Sequence, residues 1–171
     1  MRGTEEGDRL VAEVVAVAGG QIVGRVRLQK IFYLLDRLGL GSGFDYEYHH
    51  YGPYSAELAD AVEDATAFGR IEERTGRRSY DGVPYSIFEQ PRVTPGPLLG
   101  ALSHADAVRA LRRMQAEPAT VLELAATIDW LRTQEQIHEW RLELARRKGA
   151  KAEHGRVERA ERLLHELNLA D

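Results

Sequence analysis

Arg25-Val-Arg-Leu-Gln-Lys-Ile-Phe-Tyr-Leu-Leu-Asp36, followed across a glycine-rich turn by Phe44-Asp-Tyr-Glu-Tyr-His-His-Tyr-Gly-Pro-Tyr-Ser55, decides how this chain folds. Leu28, Ile31, Phe32, Leu35 and Leu38 recur at the three-and-four spacing of one helix face, which predicts a helix over 26–38. The glycines of Gly39-Leu-Gly-Ser-Gly43 end it, because they admit backbone conformations that a side chain obstructs. Phe44, Tyr46, Tyr48 and His50 then alternate as one face of a strand near 44–51. Gly52-Pro53 is the expected turn, and Ser55 the expected cap of a helix over 56–68 with Leu58, Ala61, Val62, Ala65 and Phe68 inward.

Upstream, a helix is expected over 5–18, with Thr4 as its cap, acidic residues in its first turn, Leu10, Val11, Val14 and Val17 as its buried stripe, and Gly19-Gly20 as its stop. Downstream, Ile71-Glu-Glu-Arg-Thr and Val83-Pro-Tyr-Ser-Ile-Phe-Glu89 read as two antiparallel strands joined by a polar loop, with Pro84 at a strand start or an edge, where no ladder donor is needed. Pro91 to Pro97 is a connection. Four helices should follow: one capped at Ser103 with Asp106 in the capping-box position, one opening near Pro118, one after Thr133 with Gln136, and one over about 155–168. The expected fold class is α+β, a mainly helical single domain with a small antiparallel β-sheet or wing-like hairpin. Residues 1–100 would form a helix-strand-helix-hairpin core and 101–171 helices packing on the same domain.

At 171 residues, with 43% apolar and 29% charged residues, the chain has the length and composition of one ordinary globular domain. It has no cysteine, which excludes disulfides, thiolate chemistry and cysteine-ligated metal. Glu5, Glu6, Asp8 and Glu13 interrupt the N-terminal apolar residues, unlike a signal peptide, and no apolar run has membrane-spanning length, so the expected compartment is the cytoplasm.

The net charge of −4 argues against a protein that coats nucleic acid, and its distribution is uneven. Residues 44–73 carry Asp45, Glu47, Glu57, Asp60, Glu63, Asp64, Glu72 and Glu73 against Arg70, whereas 141–162 sum to +4. Such a dipolar surface fits an acidic face for a basic partner; it fits solvated helix faces of mixed charge equally well.

Chemistry-bearing patterns are sparse. His49 and His50 lie near Asp45, Glu47 and Glu57, but adjacent strand residues point to opposite faces, so no metal site is expected, with His50 packed beneath the tyrosines and His49 exposed. Ser55 and Ser103 read as helix caps, and no nucleophile motif, P-loop or dinucleotide glycine pattern occurs, so neither an enzyme nor a cofactor is expected. An enzyme would require a deep pocket gathering His49, Tyr51 and Glu57. Tyr46, Tyr48, Tyr51 and Tyr54 place four of the seven tyrosines together; Tyr46 and Tyr48 should face inward, while Tyr51 and Tyr54 either pin the turn or anchor a partner. Helices followed by a hairpin also suggest a winged helix, in which Arg25, Arg27 and Lys30 would meet phosphates, with Arg77 and Arg78 at the wing tip.

L-Q-K-I-F-Y-L-L with Y-G-P-Y-S, between Gly24 and about Gly69, resembles the Panacea antitoxin domain of SocA-like proteins and the related uncharacterised YwgA-like proteins. Leu122-Glu-Leu-Ala-Ala-Thr-Ile-Asp-Trp-Leu131 and the final helix look more like the YwgA-like branch. The resemblance implies a non-catalytic protein-interaction module that neutralises a toxin encoded nearby by direct contact, or a phage-defence component. The expected partner is a protein, with nucleic acid the alternative through a winged-helix-like transcriptional regulator, no membrane, and homodimer formation left open. The expected partner-binding residues are Tyr51, Tyr54, Glu57, Asp60 and Asp64; the alternative nucleic-acid set is Arg25, Arg27, Lys30, Arg77 and Arg78.

Overall fold

The helix expected from the quoted stretch is the centre of the molecule. In the computed structural model, which describes residues 4–90 and 96–170, the chain runs α1 (Thr4–Val17), β1 (Gln21–Val23), α2 (Arg25–Arg37), β2 (Glu47–His49), β3 (Gly52–Tyr54), α3 (Ala56–Ala67), β4 (Glu72–Arg77), β5 (Pro84–Glu89), β6 (Leu98–Leu99), β7 (Leu102–Ser103), α4 (His104–Gln115), α5 (Ala119–Thr133), α6 (Trp140–Lys148), a 3-10 turn (Gly149–Ala152) and α7 (Arg156–Glu166). It is a mainly helical α+β domain with small antiparallel sheets.

Every residue of α2 from Leu28 to Leu35 is buried, so this helix is covered on all sides, as its apolar circumference requires. Its main helical neighbour is α5, buried at Val121, Leu122, Leu124, Ala125, Ile128 and Leu131. Helices α1 and α3 pack together on one flank, while α6 and α7 pack on α5 at the other. Ser55 caps α3 by accepting from Leu58 N at 3.1 Å, and Ser103 caps α4 by accepting from Asp106 N at 3.1 Å.

The largest sheet has the order β1-β5-β4, all antiparallel, with Ile22 opposite Phe88 and Glu73 opposite Phe88 across the other ladder. The expected hairpin is therefore present, with Pro84 opening its second strand. β1 was not expected: three residues between glycines are too short to show a period, and only pairing with β5 makes them a strand.

Four expectations need correction. The strand near 44–51 is confined to Glu47–His49; the turn falls at His50-Tyr51, and Gly52-Pro53-Tyr54 is the returning strand, with Tyr48 opposite Pro53. Phe44 and Tyr46 precede it as coil, where Ser42 Oγ accepts from Phe44 N at 3.0 Å and Tyr46 donates its hydroxyl to Asp36 at 2.7 Å. His50 is exposed, not beneath the tyrosines. The helix expected after Thr133 begins only at Trp140, because Gln136 has a φ of 55° and Ile137 N turns back to Leu131 O. Phe68, expected inward, is 68% exposed at the C-terminal end of α3. The side chain of Thr4 and most of the proline-punctuated connection, residues 91–95, lie outside the described residues.

Candidate functional site

The two quoted motifs close on each other. Gln29 donates its side-chain amide to Ser55 O and accepts from Ser55 N, both at 2.9 Å, so a buried side chain takes the place of a neighbouring strand. One residue on, Lys30 donates to Pro53 O at 2.5 Å. Gly52 completes the fit: its φ is 88°, and a Cβ there would stand 2.7 Å from Thr127 Oγ1. Because Ser55 is both the clamped residue and the cap of α3, this clamp fixes where Tyr51, Tyr54 and α3 emerge.

A buried ionic group sits behind the clamp. Glu123, 3% exposed, accepts from Lys148 at 2.8 Å and from Lys151 at 3.1 Å, and Lys148 also donates to His50 O at 3.2 Å. Lys30 shares this environment. Burial pulls its pKa down to about 8; Glu123 opposes the shift, while Lys148 and Lys151 reinforce it. The cations also cover the tyrosines: Arg147 lies 4.6 Å from the Tyr48 ring centre and Lys151 4.7 Å from that of Tyr51. At the other end of the α2–α5 contact, Tyr33 donates to Asp129 at 2.6 Å and Arg37 to the same oxygen at 2.8 Å. Burial, and then the Asp129 charge, push the Tyr33 phenol well above its ordinary value. Sequence reasoning missed Gln29, Glu123 and Asp129, and gave Lys30 a phosphate contact in place of its buried bond to Pro53 O. The available signal was polar residues inside helices that are otherwise apolar all round.

Tyr51 is 49% exposed, and Tyr54 is half-buried with its ring stacked on His49 at 4.7 Å. Glu57 and Asp60 are exposed and Asp64 half-buried; with Phe68 they fall at three-and-four spacing, one stripe along α3. Among the described residues none of these carboxylates, nor the exposed Glu63, has an ion-pair or hydrogen-bond partner. The basic C-terminal segment differs, since Arg141, Arg146, Arg147, Lys148, Lys151 and Arg159 all pair with carboxylates of this chain. The acidic pole of the molecule is open and much of the basic pole is neutralised internally.

The alternative cationic set is not gathered into one surface. Lys30 is 1% exposed and so cannot reach a phosphate, a correction that follows from its bond to Pro53 O. Arg25 pairs with Glu73 at 2.5 Å, and Arg27 donates to Glu117 O at 2.7 Å. Arg77 and Arg78 are exposed at the hairpin tip, where Arg77 donates to Gly82 O and Arg78 pairs with Asp81. Two surface clefts occur elsewhere. One, of about 250 Å³, is lined by residues including Leu38, Leu102, Arg109 and Glu166; the other, of about 520 Å³, lies beside Arg132, His138 and Trp140. Neither includes His49, Tyr51 or Glu57. Among the described residues, no three of histidine, aspartate and glutamate converge as a metal-ligand group, and no helix is long and apolar enough to cross a membrane.

No family model matches the chain. Over 71 residues it is 34% identical to the uncharacterized protein YwgA of Bacillus subtilis (strain 168). The match spans 41% of this chain and 43% of that protein, so the similarity to YwgA covers less than half of either.

Proposed function

We propose that this chain is a non-catalytic protein-interaction module, antitoxin-like or associated with phage defence, which binds and neutralises or regulates a basic protein partner through α3. The observation that carries this reading is the unpaired row of Glu57, Asp60, Glu63 and Asp64, ending at exposed Phe68 and preceded in the chain by exposed Tyr51 and half-buried Tyr54. Open carboxylates attract a basic surface over a long range, and an exposed aromatic ring at the end of the row supplies an apolar anchor. The clamp holds this surface rigid, so little ordering entropy is lost on binding.

Affinity capture of the tagged chain from its native cells, with nuclease treatment and mass spectrometry, tests this. A stoichiometric basic protein should survive nuclease, and the chain should relieve that protein's toxicity on co-expression. The triple variant Glu57→Gln, Asp60→Asn, Asp64→Asn should keep its melting temperature and lose at least about tenfold in affinity, roughly 1.4 kcal/mol. Unchanged affinity in a folded triple variant rejects α3 as the surface; the absence of both partner and rescue rejects the antitoxin reading. A second reading, a winged-helix-like DNA-binding regulator, is favoured only by exposed Arg77 and Arg78 at the hairpin tip. It requires salt-dependent DNA binding that weakens on Arg77→Ala and Arg78→Ala.

A further inference from the structure

The outer edge of β4 is the second surface that the fold leaves open. β4 ends the sheet, and five of its six residues are exposed, Gly76 alone being half-buried. The ladder to β5 fixes which backbone groups are free. Arg78 N donates to Val83 O at 3.0 Å, so Glu72, Arg74 and Gly76 turn their backbone polar groups toward β5, and Glu73, Thr75 and Arg77 turn theirs outward. On the far side of β5, Gly24 N donates to Ser86 O and Gln90 N to Gly20 O, which keeps the same alternation. Among the described residues, nothing pairs with the outward groups of Glu73, Thr75 and Arg77.

We propose that a second copy of this chain pairs along this edge, antiparallel, with Thr75 on the two-fold axis, joining two three-stranded sheets into one six-stranded sheet. An edge-to-edge two-fold axis stands normal to the sheet and keeps each side chain on its own face. With Thr75 at the axis, Glu73 stands opposite Arg77 of the second copy, Glu72 opposite Arg78, Arg74 opposite Gly76, and Thr75 opposite itself. Opposite charges and threonine pairs are favourable cross-strand neighbours, and like charges are unfavourable. Every other centre within β4 sets like charges against each other: Glu72, Glu73, Arg74 or Arg77 would face its own copy, and centring on Gly76 would put Arg74 opposite Arg78. Charges on an edge strand ordinarily repel a second strand; this set repels every symmetric register but one. At Gly76 the Tyr85 ring lies over the residue's face, so the opposing Arg74 would pack against that ring. This inference is independent of the α3 surface, and it occupies Arg77, which the DNA reading needs free.

Sedimentation velocity of the full chain up to about 0.5 mM should show a concentration-dependent dimer. Arg77→Glu and Glu73→Arg should each weaken it at least tenfold, and the double variant, which restores complementarity, should return to within about threefold of the original. Thr75→Pro removes an outward donor and spares those directed at β5, so it should abolish the dimer while the far-UV circular dichroism stays unchanged. Thr75→Cys, then the sole cysteine, should cross-link to itself on oxidation, because hydrogen-bonded antiparallel pairs hold their Cα atoms within disulfide reach. A chain that stays monomeric at all concentrations overturns the proposal. So does a dimer indifferent to Thr75→Pro, or a folded double variant as weak as the single ones.

Discussion

Replacing Lys30 with methionine should reverse its effect on stability between neutral and alkaline pH. Lys30 is 1% exposed, with a folded pKa near 8 against an ordinary 10.5. A lowered lysine pKa means that, between those values, the unfolded chain binds more protons than the folded one, so stability rises with pH across that window. The full change, from below pH 8 to above 10.5, is about 3 kcal/mol at 1.36 kcal/mol per pH unit. At pH 7 the folded protein carries the whole cost of a buried ammonium, and methionine removes it; against this, Pro53 O loses its donor, at about 1–3 kcal/mol. Lys30→Met should therefore be neutral or stabilising by up to about 2 kcal/mol at pH 7, and destabilising by about 1–3 kcal/mol at pH 10.5. Urea unfolding of both proteins at half-unit steps measures this, and the difference between them cancels groups that titrate alike in both. A difference constant within about 0.5 kcal/mol across pH 7–10.5 would refute a buried, charged Lys30.

Gln29→Ala leaves Ser55 N unpaired, while Ser55 O keeps its bond from Ala59 N, and should cost about 1–3 kcal/mol, read as a lower urea midpoint with an unchanged slope. Gly52→Ala meets a positive φ, at about 1–2 kcal/mol, and a contact with Thr127 Oγ1; adding Thr127→Ala should recover the contact cost alone, so a double-mutant cycle showing no coupling would disprove that contact. Phe32→Ala, at a fully buried ring 5.9 Å from that of Phe44, should cost about 3–5 kcal/mol in the same assay through lost burial and a cavity.

Local signals made much of this fold legible. The periodicity of Leu28, Ile31, Phe32 and Leu35 gave α2; Ser55 and Ser103 gave two helix starts; Pro84 gave the start of β5. What escaped depends on contacts distant in sequence. Gln21–Val23 is a strand only because β5 lies beside it, and Gly52–Tyr54 pairs with Glu47–His49 while Lys30 and Gln29 of α2 hold the Pro53 carbonyl and the Ser55 backbone. Gln29 and Lys30 resembled solvent-facing helix positions, since polarity suggests exposure until a buried backbone acceptor is found for each. In the candidate surface, the acidic positions of α3 were readable from helical spacing, whereas Phe68 was assigned inward by the same spacing: it is the C-terminal cap of the helix and stands exposed.

The clamp also limits what similarity in these motifs can transfer. Gln29 and Lys30 bond to main-chain atoms of Pro53 and Ser55, and Gly52 is required by backbone conformation and by its approach to Thr127. Bonds of this kind constrain the path of the chain and leave the identities of the outward side chains free. A protein that keeps L-Q-K and Y-G-P-Y-S therefore keeps the direction in which α3 leaves the core, yet can place any residues at the positions of Glu57, Asp60, Asp64 and Phe68. Shared motifs of this type carry a fold between relatives without carrying a partner. Under the proposed reading, partner choice rests on the exposed stripe of α3 and on the β4 edge, where substitutions cost little stability and change what the surface attracts or repels.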